Sequence, residues 1–186
     1  MKSETSFPLP LNRHDHMTIE VTGLGLTGEE SLARLQPWCH IFDRARITLQ
    51  KQVYNDQHRL VRGRRYRIVI VRADQIRKWV RSRNQELSRS ESLFKECRDF
   101  LSQFKYRLAL AEVAMHLREM LTQRQLVEMG IYSLMVAHNP IKTWGEYVTC
   151  LHVVCHTEGP ALGAGLARSF HDRPSVGAVA FLDTNP

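Results

Sequence analysis

Four arginines and a tyrosine fall within the six residues Arg62 to Arg67 (RGRRYR), and Arg77, Lys78 and Arg81 follow on what reads as one helix. Guanidinium groups at this density hold anions by charge and by paired N–H donors. The polyanion they suit is a phosphate backbone, with Tyr66 as a ring on which a base can stack. The excess is local. Residues Arg44 to Arg89 carry 14 Lys or Arg against Asp56, Asp74 and Glu86, whereas the whole chain has 26 basic and 19 acidic residues and a formal charge of +7. Such a patch favours nucleic acid, an anionic lipid surface or an acidic protein; a solvated face serving solubility alone is the plain alternative.

A second group with chemical potential is Cys150, His152, Cys155 and His156 (CLHVVCH). On a helix the two histidines, four apart, share a face as zinc ligands do, and Cys39, His40 or His138 could complete the set. The interleaved Leu151, Val153 and Val154 argue instead for a buried element in which the cysteines act as small apolar residues. Gly23, Gly25 and Gly28 spell GxGxxG between a strand and a helix, the place where a dinucleotide pyrophosphate would sit. Glu29 and Glu30 put like charge at that end, and a plain turn into a helix accounts for the spacing. Thr122 to His138 has the outline of a helix-turn-helix with Gly130 at the turn. Its second half, Leu134-Met135-Val136-Ala137, has no side chain to read bases and suits a core hairpin. No GxSxG or phosphate-binding loop occurs, and Glu112, Glu119 and Glu128 fall where solvent-facing helix positions are expected. No cofactor and no catalytic residue is therefore assigned.

The elements that must carry these groups follow from periodicity. Ile19 and Val21 alternate with polar residues up to Gly23, which predicts a strand over 17–22. Thr27 with Glu30 has capping-box spacing and opens a helix that Pro37 limits. Arg46 to Tyr54 alternates at Ile47, Leu49 and Val53 and reads as a second strand. Arg65 to Arg72, with the β-branched run Ile68 to Val71, reads as a third and central one. A basic amphipathic helix follows from Ala73 or Asp74. Ser88 with Glu91 marks the start of a long helix whose stripe runs through Leu93, Cys97, Phe100, Phe104, Leu108, Ala111 and Met115. Thr122 with Gln125, and Thr143 with Glu146, mark two more helix starts.

The expectation is thus an α+β protein: a mobile arm over 1–16, a basic β-α-β-β-α region over 17–84 and a helical region over 88–157. A Gly/Ala-rich tail over 158–186 follows, with a short strand at Val176 to Leu182. The four cysteines lack disulfide-scaffold spacing, and the N-terminus lacks a signal peptide's apolar stretch, so an intracellular setting, cytoplasmic or nuclear, is expected. No apolar run approaches the roughly 20 residues of a membrane span.

Over about 70 residues this order resembles an RNA recognition motif, a ferredoxin-like sheet whose aromatics stack bases. Ile19 to Leu24 (IEVTGL) is similar to the family's first-strand motif and Arg62 to Val69 (RGRRYRIV) to its third-strand motif. Tyr66 keeps a ring, while Glu20 and Arg64 stand at the other stacking positions. The leading expectation is a non-catalytic protein binding RNA or single strands, with Arg62, Arg64, Arg65, Arg67, Arg77, Lys78 and Arg81 on phosphates and Tyr66 on a base. The second is a scaffold of viral-matrix type whose basic face docks on an anionic membrane or partner protein and which forms homo-oligomers. The third is a zinc-dependent protein. Alternation along RYRIVIVR puts Arg65 and Arg67 on one face of the strand and Arg64 and Tyr66 on the other, so the charge forms a rim.

Overall fold

The computed structural model describes residues 7–83, 93–144, 147–166 and 177–184. Among them the chain is a mixed α+β fold around one nine-stranded sheet. The order is β1 (Met17–Thr22), α1 (Gly28–Leu35), β2 (His40–Ile41), α2 (Asp43–Leu49), α3 (Gln52–Gln57), β3 (Arg65–Arg72), α4 (Ala73–Arg83), α5 (Leu93–Phe104), β4 (Tyr106–Arg107), α6 (Val113–Met120), α7 (Gln123–Glu128), β5 (Ser133–Val136), β6 (Ile141–Lys142), β7 (Val148–His156), β8 (Gly159–Leu166) and β9 (Ala178–Asp183). The sheet runs β1-β3-β9-β5-β7-β8-β2, with β4 on β9 and β6 on β7. Pairs β5/β9 and β2/β8 are parallel and the others antiparallel.

β3 is the interior strand its β-branched run implies: Ile68, Val69, Ile70 and Val71 are fully buried between β1 and β9. Ile68 and Ile70 join Ile19, Val21, Leu134, Val136, Leu151 and Val153 in a core that also takes in α1, α2, α6 and α7. Val69 and Val71 face a second core built with Ile76, Phe100, Tyr106, Met135 and Phe181, under α4 and α5. Apolar residues on both strand faces thus place helices on both sides of the sheet.

Four expectations are corrected. Arg46 to Tyr54 is not a strand. Ala45, Thr48 and Leu49 are buried at helical spacing on α2, and α3 follows with Tyr54 buried, so the alternation of Ile47 and Leu49 was incidental to a stripe of period 3.6. The helix through Met115 ends at Phe104: Lys105 takes a positive φ of 57°, Tyr106–Arg107 pairs with β9, and Ala111 and Met115 belong to later segments. Its expected start, Ser88 with Glu91, lies outside the described residues. The helix from Thr143 is instead the β6–β7 hairpin, because the β-branched content of Val148 to Val154 prevails, and the Thr143 hydroxyl donates to the Tyr147 carbonyl. The described residues of 88–157 are therefore not all helical, and those of 158–186 are not only a tail: β8 and β9 are sheet strands. β8 is Gly/Ala-rich because side chains cross it closely; a Cβ on Gly163 would sit 2.3 Å from His152 Nε2.

The expected arm is packed where it is described. Leu9 and His16 are buried, Asn12 closes a turn on His16, and the Thr18 amide donates to the Pro10 carbonyl, so residues 9–12 cover the open edge of β1. The strand at 17–22, the helices opened by Thr27 and Thr122, the basic helix after β3 and the terminal strand all form where the sequence puts them. No helix of the described residues is long and apolar enough to cross a membrane.

Gly28 fixes the approach of α1 to α2. A Cβ there would lie 1.8 Å from the Leu49 carbonyl oxygen and 2.6 Å from its carbon, both backbone atoms that cannot rotate away. Gly28→Ala is expected to cost about 2–3 kcal/mol through overpacking. Urea unfolding measures it, and an unchanged midpoint would disprove the contact.

Candidate nucleic-acid interface

The arginine-rich segment before β3 is a rigid turn. The Arg64 amide donates to the Val61 carbonyl (3.1 Å), Gly63 takes φ +78°, and the turn is tied to the end of β1 by Gly63 N–H to the Gly23 carbonyl (2.8 Å) and Gly23 N–H to the Arg64 carbonyl (2.8 Å). Glycine is needed twice: Gly63 for its left-handed conformation, and Gly23 because a Cβ would meet the Val61 carbonyl oxygen at 2.4 Å. Arg62 Nε donates to the Leu24 carbonyl (3.1 Å), and the Arg64 guanidinium lies 5.5 Å from the centre of the Tyr66 ring. Arg59, Arg62, Arg64 and Arg65 are exposed, with no carboxylate of the described residues within ion-pair distance, while Arg67 approaches Glu20 at 3.8 Å. Five cations thus project from one end of the β1–β3 pair on a backbone held in place before any ligand arrives.

The faces divide as the alternation implies. Tyr66 lies against the core that holds Ile68 and Ile70, while Arg65 and Arg67 share the other strand face with Val69 and Val71. The Tyr66 ring is already engaged: it is half-buried, Arg64 covers it, and its hydroxyl accepts from the Val61 amide (2.9 Å). Its present work is to hold the turn.

The structure does not bring all the expected residues together. Arg77, Lys78 and Arg81 lie on α4, which starts after the far end of β3 and packs over the sheet face of Val69 and Val71. Seven strand steps, about 23 Å, separate Arg65 from Arg72, where α4 begins. Asp74 partly neutralises the α4 group, accepting from Arg72 Nε (3.2 Å) and lying 3.7 Å from Lys78 Nζ. The described part of the basic stretch, 44–83, therefore spans α2, α3, β3 and α4 and presents two patches, of which the turn is the denser.

Beneath the turn lies a residue the sequence reading placed at the surface. Glu112, just before α6, is fully buried. One carboxylate oxygen accepts from the amides of Leu24 and Gly25 (3.0 Å each) and from His116 Nε2 (3.2 Å); the other accepts from the Leu60 amide (2.8 Å). Burial pushes the Glu112 carboxyl up, but these hydrogen bonds outweigh it and hold the group below the usual carboxylate range. A glutamate between Ala111 and the apolar run Val113-Ala114-Met115 was the available signal, since a lone acid inside such a run is either buried or interrupts it. Glu119 and Glu128 are closer to expectation, paired at the surface with Arg34 and Arg124.

Glu112 also decides the GxGxxG reading. The Leu24 and Gly25 amides that would cradle a pyrophosphate are taken by its carboxylate, the Gly28 amide donates to Asn55 Oδ1 (2.9 Å), and the Thr27 amide donates to Glu30 in the capping box. An internal anion fills the place a phosphate would need. The adjoining cleft, of about 580 Å³, is walled by Arg59 and Arg62 but also by Glu30 and Asp56.

The Cys/His group lies on a strand, β7, which separates its members. Cys150, in the core under α4 and α5, donates to the His138 carbonyl (3.7 Å). Cys155 packs against the other core and donates to the Ile131 carbonyl (3.4 Å). His152 Nδ1 meets the Ser133 hydroxyl (3.2 Å), and the His156 ring stacks on His40 at 5.6 Å. Among the described residues no three His, Cys, Asp or Glu side chains gather as a metal site would need. The stretch resembling a helix-turn-helix is α7 followed by β5, whose residues are all buried in the sheet. Comparisons of the chain with protein-family models, with curated proteins and with solved structures find no match.

Proposed function

We propose that the protein binds nucleic acid, RNA or single strands in preference, through the cationic turn at Arg59 to Arg67. The observation that carries this reading is the preorganisation of the turn: five arginines stand on a backbone locked to β1, four of them without a carboxylate partner among the described residues. Cations fixed in this way lose little freedom on meeting a phosphate chain. Support also comes from the pairing of the two segments similar to the RNA recognition motif, which lie side by side with Val21 opposite Tyr66. Arg77, Lys78 and Arg81 on α4 form a secondary patch, which Asp74 partly offsets.

The test is the salt dependence of binding, followed by fluorescence anisotropy with a labelled oligouridylate. With four or five phosphate contacts, log K is expected to fall against log salt with a slope of about −3 for a single strand. A slope near zero, or no binding at 50 mM salt, would refute the proposal. Anionic vesicles at the same ionic strength provide the comparison: stronger retention on vesicles than on RNA would assign the patch to a membrane surface.

A further inference from the structure

We infer that base stacking, if the nucleic-acid reading on which this rests is right, is supplied by Trp144 and Tyr147 at the tip of the β6–β7 hairpin and not by Tyr66. Both rings are strongly exposed, Trp144 at 48% and Tyr147 at 59%. The hairpin that carries them is braced: Tyr147 N–H donates to the Trp144 carbonyl (2.9 Å), Thr143 N–H to the Tyr147 carbonyl (2.9 Å), and the Thr149 hydroxyl to the Ile141 carbonyl (3.2 Å). Thr149 also meets the Thr48 hydroxyl at 3.0 Å, which ties the hairpin to α2. Two large rings exposed to water on braced strand ends are the arrangement that sequence-tolerant stacking requires, since every base offers a π face.

The strand directions bring this hairpin to the same end of the sheet as the arginine turn. β9 runs antiparallel to β3, β5 parallel to β9 and β7 antiparallel to β5, so the start of β3 at Arg65, the ends of β9 and β5, and the start of β7 at Val148 share one end of the sheet. Three strand spacings, about 15 Å, separate β3 from β7. Arg107 on β4, exposed and paired beside the end of β9, falls between them, and Lys142 stands on the hairpin itself opposite Val148. A single strand crossing this end would meet the phosphate-binding arginines and then the two rings. A duplex, with its bases already stacked inside, could use only the arginines. The combination of cations with exposed rings at one end of the sheet points to single-stranded nucleic acid as the occupant.

The experiment compares W144A, Y147A and W144F with the parent protein on a 15-nucleotide oligouridylate and on a duplex of equal length. The expected result is a loss of about tenfold per ring on the single strand for the alanine variants, with the salt slope and the duplex affinity unchanged. W144F should recover most of the loss, and Trp144 fluorescence should be quenched on binding. Unchanged single-strand affinity in W144A and Y147A overturns the inference. It leaves the arginine reading standing if the R64E/R65E variant still loses binding, and both fail together if that variant binds normally. Loss of a dimer in W144A, detected by light scattering, would also overturn it by assigning the rings to self-association.

Discussion

Glu112→Ala is expected to destabilise the protein by about 3–5 kcal/mol, a large share of the total stability of a domain this size. The carboxylate joins three segments distant in sequence: the loop after β1 through Leu24 and Gly25, the approach to the arginine turn through Leu60, and α6 through His116. Alanine leaves those amides without an acceptor and opens a cavity beside them. Glu112→Gln separates acceptor chemistry from shape, because an amide keeps the volume but replaces one accepting oxygen with a donor. One cluster of N–H groups must then face another donor, at about 1–3 kcal/mol. Urea denaturation should rank the parent above Gln and Gln above Ala. Equal stability of all three would show that the carboxylate does not brace the turn.

The same residue gives acid sensitivity with a definite sign. The folded-state carboxyl of Glu112 lies below its ordinary value, so its contribution is fully present above the unfolded value near 4.5 and is lost as pH falls through the lower folded value. Two buried histidines act in the same direction at higher pH. Burial lowers His138 to about 3, and burial together with nearby His14 lowers His16 to about 4. Both must be neutral to fit, and the unfolded chain takes up their protons first as pH drops below the ordinary histidine value of 6.5. Thermal unfolding followed from pH 8 to pH 3 should show stability declining from about pH 6.5. In Glu112→Gln the further decline below 4.5 should be reduced.

What the sequence discloses about this molecule divides along physical lines. Capping boxes at Thr27 and Thr122 are local chemistry, satisfied by residues three apart, and both form. The run Ile68 to Val71 is so rich in β-branched side chains that only an interior strand buries both its faces. Arg46 to Tyr54 and Thr143 to His156 were exchanged, the first helical and the second extended, because short segments fit either period and the choice rests on partners remote in sequence. Thr149 meets Thr48, and β8 supplies the other side of β7. The candidate site shows the same division. RGRRYR is visible as composition, but what holds it as a turn is the register with Gly23 and the buried Glu112, contacts spanning about 40 to 90 residues that no local pattern encodes.

Reversing two charges at the turn, Arg64→Glu with Arg65→Glu, is expected to lower affinity for single-stranded nucleic acid by on the order of a hundredfold at low salt. Each reversal removes a phosphate contact and adds a repulsion, and the slope of log K against log salt should shrink by about 1.4 for the two lost contacts. Both side chains are exposed. The turn's hydrogen bonds at this point come from the Arg64 backbone and the Tyr66 hydroxyl, so the fold should persist, as circular dichroism can verify. The loss should be uniform across base sequences, because phosphates carry no sequence information. The matching reversal at Lys78 and Arg81 on α4 is the internal comparison. Because Asp74 already offsets the α4 group, a 6-nucleotide probe should lose several-fold less there than at the turn. Equal losses from the two double variants on the short probe would place the binding surface elsewhere and remove the turn from its proposed role.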